Sequence, residues 1–198
     1  VGYVAAKGDE FPTADRVNRF TLANGAIPVF AFLDGTTSGE QCMDELLDVM
    51  VAGGVAAVNI IPDRNWNFKD AEVRRQKAAN LHDFVAKAEA RCLPILVGTE
   101  MNAFGQPFVD NFAVPEMASL HPAFSAGMWI LHGHTLLQAK AGMGYLSPWA
   151  AAHFEQVSAK NRFFEAVGRM VTPVSGKGWE SVNTECTPEQ VLCSAGIE

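Results

Sequence analysis

The chain has 198 residues, 48% hydrophobic and 19% charged, with a formal net charge of -7. That length suffices for one domain with a proper core, and the composition is that of an ordinary soluble protein. The acidic balance excludes a general binder of phosphate backbones, which needs a basic face, so no nucleic-acid partner is expected.

The first helix is expected over 13–24, with Thr13 as its cap and Gly25 ending it in a left-handed conformation. Val17, Phe20 and Leu22 read as its inner side. An apolar run follows over 26–33, a strand by its length and content. A second helix over 40–52 carries Met43, Leu46, Leu47 and Met50 at helical spacing. Gly53-Gly54 stops it before a second apolar run, 55–61.

The long helix over 69–91 has Asp70 and Glu72 at its positive end and a stripe of Val73, Leu81, Phe84, Val85 and Ala88. The Arg74-Arg75-Gln76-Lys77 cluster reads as its wet face. A third apolar run, 93–97, leads into Gly98-Thr99-Glu100-Met101-Asn102. Beyond residue 105 the alternation fades into short helices over 106–120 and helix-like stretches over 123–141 and 148–171.

Near-continuous apolar runs separated by helices point to parallel strands buried on both faces. The fold class expected is α/β, with parallel βα repeats, TIM-barrel-like, as a distorted or partial barrel with extra C-terminal helices. A closed eight-unit barrel takes about 250 residues, so the chain reads as the C-terminal part of a longer one. Residues 1–175 then form one barrel-like domain and 176–198 an irregular tail with a short helix at 188–193. Such a barrel leaves an open sheet edge, which an oligomeric partner or a missing N-terminal segment would cover.

Val1 is not an initiator methionine and the first seven residues lack a signal-peptide pattern. The compartment stays open, with the cytoplasm slightly favoured. No apolar stretch approaches the ~18 residues of a membrane span. Of the four cysteines, Cys42 and Cys92 read as small buried hydrophobes. Cys186 and Cys193 could bridge in an oxidising compartment.

Ligands of parallel α/β folds bind beyond the carboxyl ends of the strands, where this chain concentrates acids and amides. Glu100 is the leading catalytic candidate: a carboxylate just past an apolar strand can hold a metal or take a proton. Pairing with Arg64 is its structural alternative. Asp63 and Arg64 join it as catalytic candidates from the second strand end. Asp34, Asn59, Asn65, Trp66 and Asn102 are candidate ligand-binding residues, with Asn59 the one amide inside an apolar run. His132-Gly133-His134 has metal-ligand spacing. On a helix, however, i and i+2 stand about 200° apart, so at most one histidine, His134, is retained as a metal candidate beside Glu100.

The order of these pieces resembles the later part of the PHP (polymerase and histidinol phosphatase) domain family. The pieces are a helix, a glycine turn and the strand to Ala31-Phe32-Leu33; then Gly54-Val55-Ala56-Ala57-Val58-Asn59; then a long helix and Gly98-Thr99-Glu100-Met101-Asn102. The resemblance covers about residues 11–105 and implies a distorted α/β barrel with phosphoester hydrolysis at a metal cluster. The chain departs from the family pattern at Phe32, Asn59 and Asn102, which stand where the family has metal ligands, and Glu100 alone keeps an acid. The expected function is a metal-dependent hydrolase, a phosphoesterase by resemblance, with a degenerate site and a divalent Zn, Mn or Mg acting on a small-molecule substrate. The alternatives are a metal-free protein that binds a sugar or organic acid, and a barrel isomerase or lyase with Glu100 as base.

Overall fold

A computed structural model describes residues 8–102, 104–170 and 177–196. It shows a mixed α/β fold, 56% helical, around a small open parallel sheet of three strands; a closed barrel is not shown. The strands are β1 (Val29–Phe32), β2 (Ala57–Ile60) and β3 (Ile95–Val97), in that spatial order. Ala31 lies beside Asn59 and Asn59 beside Leu96, so the three carboxyl ends share one rim.

The connecting helices arise where the periodicity puts them. Helix α1 (Ala14–Ala23) is capped by the Thr13 hydroxyl, which accepts from the Arg16 N–H at 3.3 Å. Helix α2 (Met43–Ala52) follows a 3-10 turn over Glu40–Cys42. A four-residue α3 (Asp63–Trp66) sits at the end of β2. Helix α4 (Ala71–Ala90) starts at Asp70, whose carboxylate accepts from the N–H groups of Glu72 and Val73.

One face of the sheet, Phe32, Val58, Ile60 and Ile95, packs on Leu47 of α2 and on Leu81, Phe84 and Val85 of α4. Phe32 stacks on Phe84 with ring centroids 4.2 Å apart. Met117 of α5 (Pro115–Ala118) and Phe124 of α6 (His121–Ala141) close this core.

A second core joins the later half of α6 to α7 (Pro148–His153) and α8 (Val157–Gly168). Trp179 of α9 (Lys177–Glu180), Val182, and Val191 of α10 (Pro188–Ser194) are buried in it. The expected short helix at 188–193 is therefore present as α10, and the segment around it contributes core. The expected helix over 148–171 is split at Phe154–Gln156 into α7 and α8.

Helix α6 crosses very close to β3. The Pro94 carbonyl and the Gly98 N–H bond to β2, so the alternating polar groups of Ile95 point to the outer edge. A Cβ on Gly127 would collide with the Ile95 backbone at that edge. The helix therefore occupies the place a fourth strand would take. The opposite edge, along β1, carries no strand among the described residues.

Two sequence expectations are corrected by this arrangement. Val17, Phe20 and Leu22 are 44%, 71% and 42% exposed, not an inner side. Helix α1 has no buried residue, and the Asn18 amide ties it to the end of α2 by donating to the Gly53 carbonyl at 2.7 Å. Cys42 is exposed and Cys92 half-buried past the end of α4, at φ 54°, so neither is a buried helical hydrophobe. Cys186 and Cys193 are both free thiols.

Candidate functional site

The rim is built by three turns at the strand ends. After β1 the chain turns through Leu33-Asp34-Gly35. The buried Glu40 fixes that turn, accepting the Leu33 N–H at 2.7 Å on Oε1 and the Thr37 hydroxyl at 2.9 Å on Oε2. Asn65, fully buried in α3, ties β1 to β2: its amide donates to the carbonyls of Leu33 and Ile61 at 3.0 and 2.9 Å. Asn59 lies half-buried on the other sheet face, with its amide 3.2 Å from where a Cβ on Gly98 would stand.

Asp34, Arg64 and Glu100 meet at this rim, each already paired. Glu100 receives both the Nε and the Nη2 of Arg64 at 2.7 Å, a bidentate fork, and the Asn102 amide at 2.8 Å. Its side chain is 14% exposed. The Arg64 hydrogen bonds lower its pKa to about 2, against a smaller opposing effect of burial. A carboxylate so held is a poor proton acceptor near neutral pH. Arg64 also feels the charge of Asp34, which places the ends of β1, β2 and β3 within electrostatic reach of one another.

Asp34 is bonded to Lys77 at 2.5 Å and to the Thr36 hydroxyl and N–H. Burial raises its pKa, but these hydrogen bonds together outweigh burial and leave it below the usual carboxylate value.

The remaining candidates are dispersed. Asp63 accepts from the Asn67 amide at 2.8 Å. The Trp66 ring packs on the first core under the Arg74 guanidinium, 5.4 Å from its centroid, and its indole nitrogen is buried without a hydrogen-bond partner. In the basic cluster, Arg74 forks onto Glu116 and Arg75 pairs with Glu72, so its charges are spent on neighbours.

His134 lies in the second core, its Nδ1 accepting the Tyr145 N–H at 3.0 Å, and burial lowers its pKa. His132, two residues earlier, instead bonds the Gly168 carbonyl from Nδ1 at 2.8 Å. The helical phase thus separates the two rings. Among the described residues no three His, Cys, Asp or Glu side chains form a group able to hold a metal.

A site that sequence reasoning missed lies at the end of β3. Val97, Thr99, the 108–112 segment and the first half of α6 line an open recess of about 550 Å³. Its walls are mostly apolar, with Phe108, Phe112, Phe124, Met128 and Trp129 among them. Asp110 is 6% exposed there. Its Oδ2 accepts the Thr99 hydroxyl at 2.6 Å, and its Oδ1 is buried with no hydrogen-bond partner.

Comparison with family models, curated proteins and solved structures gives no match.

The geometry alone therefore ranks the strand-end features. A second recess, about 420 Å³, lies beside β1 and is lined by Phe32, Thr36, Glu40 and Asn80. There Glu40 has both oxygens bonded, Asn80 donates to the Asp34 carbonyl at 3.0 Å, and Asp83 pairs with Lys87. The β3 recess differs in holding a buried carboxylate with an unused acceptor. The sequence signal for it was an acid bracketed by apolar residues, Phe108-Val109-Asp110-Asn111-Phe112, in a segment with no helical or strand period.

Proposed function

We propose that this protein binds a small, largely apolar molecule in the recess at the carboxyl end of β3, using its own side chains. The observation that carries this reading is Asp110: a buried carboxylate whose Oδ1 has no partner, in the wall of a recess otherwise dominated by aromatic and aliphatic groups. Buried acceptors left unpaired cost roughly 1–3 kcal/mol, and a ligand donor recovers that cost. A recess of about 550 Å³ falls in the size range of small-ligand sites, which combine apolar walls with a few polar anchors. Phe108 and Val109 line it while 87% and 77% exposed, so a ligand would cover apolar surface now in water.

The test is thermal denaturation with 2-phenylethanol as a probe, in the presence of EDTA. The wild-type midpoint rises with probe concentration, as ligand linkage requires. In Ser125→Trp, which fills the recess from α6, the rise disappears. No rise, or an equal rise in both proteins, contradicts the reading.

The second reading is the barrel-like metal-dependent hydrolase implied by the PHP resemblance. It is supported by the convergence of Asp34, Arg64 and Glu100 at a strand-end rim, the usual ligand position in parallel α/β folds. It requires metal ligands beyond Glu100 and release of that carboxylate from Arg64. Stabilisation by added Mn or Zn would favour it over the first reading.

A further inference from the structure

Resting on the binding reading above, the geometry points to a protonated amine on an apolar body as the ligand class, with its ammonium group donating to Asp110. The buried polar pair of the recess, Asp110 and Thr99, accepts rather than donates. Oδ1 of Asp110 has no donor from the protein. The Thr99 hydroxyl has given its proton to Oδ2, leaving Oγ1 only its lone pairs. His132 bonds the Gly168 carbonyl, which can only accept, so its Nδ1 proton is spent there and is not offered to the recess.

The Asp110 and Thr99 oxygens, joined by one hydrogen bond, select a ligand with several donors, and an ammonium group carries three. The candidate cation of the neighbourhood is already committed: Arg169 lies over Trp129 and forks onto Glu165. Phe112 and Phe124, 6.2 Å apart and edge to face, supply an apolar bed and ring faces that attract a cation. The chain's net charge of -7 favours cations over anions at long range. A carboxylate or phosphate ligand would instead meet the Asp110 carboxyl group with no lysine or arginine in the recess lining.

Three probes that share a phenethyl body separate this inference from the reading beneath it: 2-phenylethylamine, 2-phenylethanol and 3-phenylpropionate. Each is titrated into the wild-type protein and into Asp110→Asn, following the Trp129 indole resonance. The amine binds the wild type at least about tenfold more tightly than the alcohol, the size of a charge-assisted hydrogen bond, and the propionate binds most weakly. In D110N the amine falls to the level of the alcohol, whose own affinity stays within about threefold. Equal affinities of amine and alcohol for the wild type overturn the amine assignment and leave the recess a binding site. If none of the three perturbs Trp129, both the assignment and the binding reading fail. The wild-type comparison decides the matter even where D110N does not fold.

Discussion

Glu100 shows how a promising residue is claimed by its neighbour. From sequence it is an acid past a strand end, with a metal, a proton or Arg64 as its partner. The structure selects Arg64, because a fork of two 2.7 Å bonds satisfies a carboxylate on a half-exposed rim without a ligand. Its pKa of about 2 lies below the ordinary 4.5, so its contribution to stability is present above pH 4.5 and lost as the pH falls towards 2. Glu100→Gln therefore lowers stability near pH 7, and the gap between variant and wild type closes between about pH 4.5 and 2 in urea denaturation curves. A gap that is constant with pH would mean that the carboxylate charge is not what Arg64 holds. Asn65 and Asp110 were harder to read. Whether an amide spends itself on two carbonyls, or an acid keeps an empty acceptor, depends on contacts 11 to 32 residues away in sequence.

The periodic elements were legible because burial imposes a period on them. The strands lie within the three apolar runs, and α2 and α4 carry their stripes towards the sheet. The reading of α1 fails for a physical reason: an apolar stripe on a short helix specifies a buried face only when another element offers a surface to lie on. The role of α6 was equally hidden. Its glycines look like weak points in a helix, yet Gly127 fits against the Ile95 backbone, and Gly133 and Gly168 let α6 and α8 approach at the Phe164 and Trp129 carbonyls. Gly127→Ala must push α6 off the β3 edge, and destabilisation of about 3 kcal/mol is expected in urea titrations. Gly39→Ala, whose added Cβ would stand 3.8 Å from Leu46 in ordinary contact, serves as the near-neutral control. Similar losses in both variants would contradict the close crossing.

In the whole molecule, α6 runs through both cores. Phe124 belongs to the sheet core, Ile130 and Leu137 to the helical one, and the recess lies along the helix between His121 and His132. The parallel sheet was readable from alternating runs and helices. The ending of that alternation after β3 was readable too, but not what replaces it: a helix laid along the strand edge, which shapes a cavity with the 108–112 segment. Among the described helices none is long and apolar enough to cross a membrane. Uptake of a small molecule by the β3 recess is the central claim. The most direct measurement is a methyl spectrum of methionine-labelled protein titrated with 2-phenylethylamine in EDTA. Met128 lines the recess, and Met43 lines the separate cavity beside β1. Saturable movement of the Met128 signal with Met43 unmoved is the predicted result; an unmoved Met128, or movement of Met43 in its place, would contradict it.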